Sequence, residues 1–241
     1  MDDLQLDVLA VGAHPDDVEI ACGGTLAKLV EQGYRVGIVD LTDGEPTPGS
    51  AGPEVRLAEA RRAAEVLGVV HRRTLDFPNR RLFDSLEARV ALAKEFRKGR
   101  PRLVIGLGGK TSTASPDHYQ ASLIVEAAVF YAKLTKWDEQ FDGLPPHVVP
   151  RRLECFLAFH TLWPTDHGAM LVVDIGDTLE KKLAAIACYA SQFPPTKAHY
   201  LDHFRAFALQ QGMAAGFAAG EVLGSPIAWG TRNLMGLLFE P

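Results

Sequence analysis

The sequence predicts an α/β fold, a three-layer sandwich with a mostly parallel central sheet and a less regular C-terminal part. Three observations carry this. Apolar runs at 5–13, 35–42 and 102–107 are nearly uninterrupted, as strands buried on both faces are. Helical patterns separate them, so strand and helix alternate through the first half. The loops that join them are rich in Gly and Pro.

Each element has a local reason. QLDVLAVGA (5–13) reads as a buried strand and 18–33 as a helix that stops at Gly33. RVGIVDLT (35–42) is a second strand, and DGEPTPGSAGP (43–53) is a loop. EVRLAEARRAAEVLG (54–68) combines strong helix formers with a terminal glycine. RRTLDF (72–77) is a short strand, 85–99 a helix, RLVIGL (102–107) a strand, GGKTSTASPD (108–117) a loop, and 118–134 a helix. Beyond these, 153–159 and 169–175 read as strands, and 177–191 and 198–219 as helices. The proline-rich stretch 137–151 reads as an insertion over a site, so residues 1–241 are expected to form one domain.

Composition excludes several classes. The 241 residues are 47% hydrophobic and 23% charged, which is ordinary for a folded globular chain. A net charge of −5 argues against nucleic-acid binding through a basic face. Three scattered cysteines imply reduced thiols, not a disulfide framework. No apolar run reaches membrane-spanning length, and the first residues lack the basic start of a signal peptide. A cytoplasmic protein with no membrane partner is expected.

Two loops carry the chemistry. AHPDD (13–17) lies at the carboxyl end of the first strand, where open α/β sheets bind ligands. Asp16 or Asp17 as a helix cap, with Glu19 in the first turn, would explain one or two carboxylates. It would not explain His14 beside them. A metal uses more of these residues: His14 and Asp17 can reach one zinc ion from a turn, leaving Asp16 free as a base. SPDH (115–118) ends the loop after the fourth strand. In a 3-2-1-4 strand order both loops open on one crevice, which makes His118 the third ligand. No GxGxxG follows the first strand, so a dinucleotide-binding reading loses its main support.

AHPDDVEIACGG, LTDGE, VRLAEARRAAEVLG, SPDH and CYASQF (188–193), in this order, resemble the LmbE-like or PIG-L zinc deacetylase family. Within it, the chain looks most similar to the bacterial deacetylases of N-acetylglucosaminyl-malate in bacillithiol synthesis. The resemblance implies a Rossmann-like fold and removal of an N-acetyl group from an amino-sugar conjugate. It implies His14, Asp17 and His118 as zinc ligands and Asp16 as general base. Arg56, Ser115, Asp117 and Tyr200 are the expected substrate contacts. A small amino-sugar substrate and a homo-oligomer are the expected partners, with zinc as the cofactor.

One position departs from the pattern. The family commonly reads HPDH where this chain reads SPDH. That first histidine acts as an acid or stabilises the tetrahedral intermediate, and a serine hydroxyl can only donate a hydrogen bond. His160, just past the strand at 153–159, is the replacement chosen, and His199 and His203 are others. The competing expectation is a metal- and sugar-binding homologue with weak or lost turnover. His71, His147 and His167 read as ordinary histidines. Asp43 and Glu45 can meet sugar hydroxyls, and Trp137 and Trp163 either line the pocket or pack in the core.

Overall fold

The computed structural model describes residues 4–111, 113–157, 169–228, 230 and 232. Among them the elements run β1 (Val8–Gly12), α1 (Asp17–Glu31), β2 (Val36–Thr42), α2 (Pro53–Leu67), β3 (His71–Phe77), α3 (Leu86–Gly99), β4 (Leu103–Leu107), α4 (Pro116–Ala132), β5 (Arg151–Cys155), β6 (Ala169–Asp174), α5 (Leu179–Ala187), α6 (His199–Met213) and β7 (Gly220–Ser225). The strands form one seven-stranded sheet in the order β3-β2-β1-β4-β5-β7-β6. The first five pair in parallel, and β7 runs antiparallel to both of its neighbours. The predicted 3-2-1-4 arrangement is present. With β1 between β2 and β4, its Val8 pairs with both Val36 and Leu103.

Helices α1, α2 and α5 pack on one another against one face, and α3 and α4 cover the other. Every residue of β1 and β2 is therefore buried. The helix ends follow their sequence signals. Ser85 caps α3 by accepting the Ala88 N–H, and Ser115 caps α4 by accepting the Asp117 N–H. Pro53 and Pro116 occupy first-turn positions, and Gly68 closes α2 in the left-handed conformation. No helix among the described residues is long and apolar enough to cross a membrane.

Three expectations change. The helix predicted over 198–219 ends at Met213, and Gly220–Ser225 forms strand β7 between β5 and β6. Among the described residues, the segment 137–151 contributes nothing to the wall of the cavity that holds the candidate site. Phe141 is buried under the Arg97 guanidinium, which lies 3.5 Å above its ring and donates to the carbonyls of Ala132, Leu134 and Leu144. Trp137 packs there against Tyr131 and Phe141. The third concerns α1, which kinks at Cys22, a residue with non-helical backbone angles. The kink frees the N–H groups of Gly24 and Thr25, and the buried Glu221 carboxylate of β7 accepts both, at 3.0 and 2.6 Å. Lys182 of α5 neutralises that carboxylate at 2.6 Å. The glycine pair is also a close approach: a Cβ on Gly24 would lie 2.7 Å from Ile175.

Candidate metal centre and its cavity

The β1–α1 and β4–α4 turns meet at the carboxyl ends of adjacent strands. Asp17 opens α1, and its Oδ2 accepts the backbone N–H groups of Ala13 and His14, both at 2.9 Å. This fixes the turn and leaves Oδ1 facing His118 Nε2 at 3.2 Å. His118 Nε2 lies 3.2 Å from His14 Nδ1, which is 3.4 Å from Asp17 Oδ2. Three Lewis-basic groups thus converge, with one donor atom from each within 4.8 Å of the others.

Such a cluster could hold a shared cation. Donors about 2.0–2.1 Å from a tetrahedral zinc stand about 3.3 Å apart, close to the separations here. Two imidazole nitrogens and one carboxylate also make a borderline-soft donor set of the kind zinc takes, with room for a fourth ligand from the cavity. The residues therefore fit the metal that the sequence implied. Burial works to lower His14, but Asp17 and Asp117 outweigh it and push the imidazole up to about 10. Burial works to raise Asp17, and the two histidines hold it well below the usual carboxylate range.

Asp117 corrects an expectation. Expected as a substrate contact, it is 1% exposed, and its Oδ2 faces the outer nitrogen of His14 at 3.3 Å. The same oxygen accepts the Arg80 N–H at 2.6 Å. It stands behind the His14 ring, where a carboxylate can orient a histidine that ligates a metal. Ser115 lines the cavity, and its Oγ accepts the Asp117 N–H at 3.3 Å.

Asp16 lines the cavity in a left-handed conformation, φ 115°, which is costly for a residue with a Cβ. Arg56 holds it there. The guanidinium donates to the Pro15 carbonyl, lies 3.3 Å from Asp16 Oδ2, and stands over the Tyr189 ring. Burial pushes Asp16 up to about 6, against the pull of Arg56. Arg56 is 2% exposed, and Glu59, three residues on, accepts from Ser191. Its Nε and Nη1 are buried without partners among the described residues.

The cavity has a volume of about 310 Å³. Its wall also holds Asn79, Arg80, Thr47, Leu157 and Gln192, none of which the sequence reading singled out by side chain. Gln192 belongs to the CYASQF segment and donates to Thr47 Oγ1 at 3.0 Å. Tyr189 of that segment donates to the buried Glu19, which is also paired with Arg72. Tyr200 is not part of this wall. It is 40% exposed on α6, against His199, His203 and Phe193. His199 and His203 do share a helix face, with ring centroids 5.4 Å apart, away from the cavity lining. His160, Trp163 and His167 lie outside the described residues. His147 is held by the Pro101 carbonyl at 2.9 Å, as an ordinary buried histidine is.

The fold and this cluster define an α/β protein with a three-donor group that could hold a metal ion at the C-terminal edge of a parallel sheet. Residues 9–129 match the model of the PIG-L, GlcNAc-PI de-N-acetylase, family, and the chain belongs to that family. The diacetylchitobiose deacetylase of Thermococcus kodakarensis is 33% identical over 89% of this chain and 80% of its own length. A conserved protein of Thermus thermophilus has the same fold, with a TM-score of 0.81 and 32% identity over 95% of this chain and 99% of its own. The 4-oxalmesaconate hydratase of Pseudomonas putida is 29% identical over 88% of this chain and 81% of its own length. The family description and the archaeal relative share one reaction class, hydrolysis of an amide-linked acetyl group. The hydratase means that the scaffold alone does not fix the reaction, so the site must be argued from its groups. None of these likenesses favours a binding protein that has lost turnover.

Proposed function

We propose that the protein is a zinc-dependent hydrolase that removes the N-acetyl group of a small N-acetylglucosamine conjugate. The observation that carries this is the convergence of His14 Nδ1, His118 Nε2 and the Asp17 carboxylate beside a second carboxylate, Asp16, in one cavity. His14, Asp17 and His118 would hold the ion, which when bound supplies Lewis acidity that acidifies water and polarises a carbonyl oxygen.

The chain's own groups do the rest. Asp16 accepts the proton of the attacking water and delivers it to the departing amine. Arg56 keeps the Asp16 carboxylate turned toward the cavity. Asp117 holds the outer nitrogen of His14, so that ring presents Nδ1. The Ser115 Oγ uses a lone pair on the Asp117 N–H, so its own proton remains for a developing oxyanion. A hydroxyl is a weaker donor there than an imidazolium, so a modest turnover is expected.

The test is acetate release from a panel of N-acetylglucosamine derivatives, the malate conjugate included, by zinc-loaded protein. Release that stops with chelator and returns with zinc supports the proposal. No release from any member overturns it.

A further inference from the structure

Arg56 is a cation nearly sealed from water, yet few acceptors hold it. Its Nη2 donates to the Pro15 carbonyl and lies 3.3 Å from Asp16 Oδ2. Nε and Nη1 have no partner among the described residues. Gly44, in the loop after β2, comes close without adding a side chain, and a Cβ there would lie 3.2 Å from Nε and Nη2. A buried cation with so few acceptors needs another source of negative potential. The face of the Tyr189 ring supplies one, with its centroid 5.3 Å from the guanidinium carbon.

Tyr189 is itself fixed from behind. It lies two residues past α5 and is fully buried. Its hydroxyl donates to Glu19 Oε1 at 2.8 Å, and its carbonyl accepts the N–H groups of Gln192 and Phe193. The same Glu19 oxygen accepts from Arg72 Nη1. The rest of the Arg72 guanidinium clasps the Asp40 carboxylate of β2 at 2.8 and 2.9 Å. Glu19 and Asp40 are fully buried. A series of contacts therefore runs from β2 through Arg72, Glu19, Tyr189 and Arg56 to Asp16, and it passes through none of His14, Asp17 and His118.

We propose that Tyr189 is a positioning residue: its ring face sets the Arg56 guanidinium, and through it the Asp16 carboxylate, for proton transfer in the cavity. This rests on the deacetylase reading, in which Asp16 moves the proton. Asp16 has reason to shift once released, because its left-handed backbone is strained. With the ring contact weakened, the guanidinium is free to turn to other acceptors, and Asp16 loses the partner that aims it. The three metal donors keep their own contacts. The loss therefore falls on kcat, where Asp16 acts, and not on zinc binding.

The experiment compares zinc-loaded native protein with Tyr189→Phe and with a trifluorinated phenylalanine at the same position. Phenylalanine keeps the negative ring face and loses the hydroxyl anchor. Fluorination keeps the shape of that ring and removes the negative face. The assay is acetate release from an N-acetylglucosamine conjugate, expressed per bound zinc. A desolvated cation–π contact is worth about 3- to 30-fold. The fluorinated form is expected to fall about tenfold below Tyr189→Phe in kcat, with KM and zinc content within about twofold. A merely structural role would treat the two rings alike. Equal kcat for the plain and fluorinated rings, or a loss confined to KM, overturns the inference.

If native protein releases no acetate from any conjugate, the deacetylase reading fails, and the placement of Asp16 decides the inference by itself. Crystal structures of the native and fluorinated proteins in one crystal form give that placement. A shift of the Asp16 carboxylate by about 1 Å or more sustains the inference. An unmoved carboxylate overturns it.

Discussion

Replacing Asp117 by alanine removes an acceptor that the structure places behind His14, one of the three candidate metal ligands. Oδ2 of Asp117 faces His14 Nε2 at 3.3 Å and the Arg80 N–H at 2.6 Å. Alanine leaves both donors without it and lets the His14 ring turn. A hydrogen bond to a charged partner is worth about 1.5–3 kcal/mol, and its loss at a ligating histidine weakens metal binding by about 10- to 100-fold. Asp117→Asn is the graded control. An amide oxygen placed at Oδ2 still accepts both N–H groups but carries no charge, so its loss should be about tenfold or less. The assay is zinc affinity by competition with a chromogenic chelator, with near-UV circular dichroism to show that the packing is kept. Native, Asn and Ala forms should rank in that order. An alanine variant that stays folded and binds zinc within about twofold of native would refute the positioning role.

Other groups give independent tests. Ser115→His restores the imidazole that the family commonly carries, and kcat should rise by about tenfold or more, since a positioned acid contributes about 100- to 10,000-fold. The same change removes the α4 cap and should cost about 1 kcal/mol of stability by urea unfolding; an unchanged kcat would mean that another group already fills the role. Glu221→Gln leaves Lys182 charged and uncompensated in the interior, a loss of about 3–5 kcal/mol, or about 10 °C in Tm by calorimetry. A drop of less than about 2 °C would contradict the structural role of that pair. Burial lowers His147 below its ordinary 6.5, although the Pro101 carbonyl opposes this. The unfolded chain therefore binds a proton more readily than the folded one, and stability falls as pH drops below about 6.5. His147→Gln should flatten that decline between about pH 7.5 and 5.5; an equal slope would exclude the contribution.

The parts legible in the sequence were those decided by local chemistry. Uninterrupted apolar runs mark β1, β2 and β4 because strands covered on both faces have no solvent side to leave polar. The His14, Asp17 and His118 donors were legible because motif and strand order place them at one sheet edge. What stayed hidden depends on partners distant in the chain. GEVLGS has two glycines and a glutamate, so β7 lacks a strand pattern. Its Glu221 is buried only because a kink far earlier in the chain, at Cys22, exposes two N–H groups that need an acceptor. Asp117 sits in the motif that was recognised, but whether its carboxylate faces substrate or a histidine is a matter of side-chain direction. Nothing in FPNRR signals that Arg80 takes a left-handed backbone, because that conformation is set by contact with α4. Tyr200, expected as a substrate contact, lies on helix α6 with 40% of its surface exposed, which its position in the sequence does not signal.

On the proposed function, His14, Asp17 and His118 form one zinc site on which deacetylation depends. The most direct measurement is zinc content together with acetate release for native protein and His118→Ala, both purified without added chelator. The native chain should hold about one zinc and release acetate from an N-acetylglucosamine conjugate. The variant should lose most of the metal and at least about a hundredfold of the rate, while keeping its fold. Native protein that binds no zinc from a stoichiometric supply, or a metal-free variant as active as native, would contradict it.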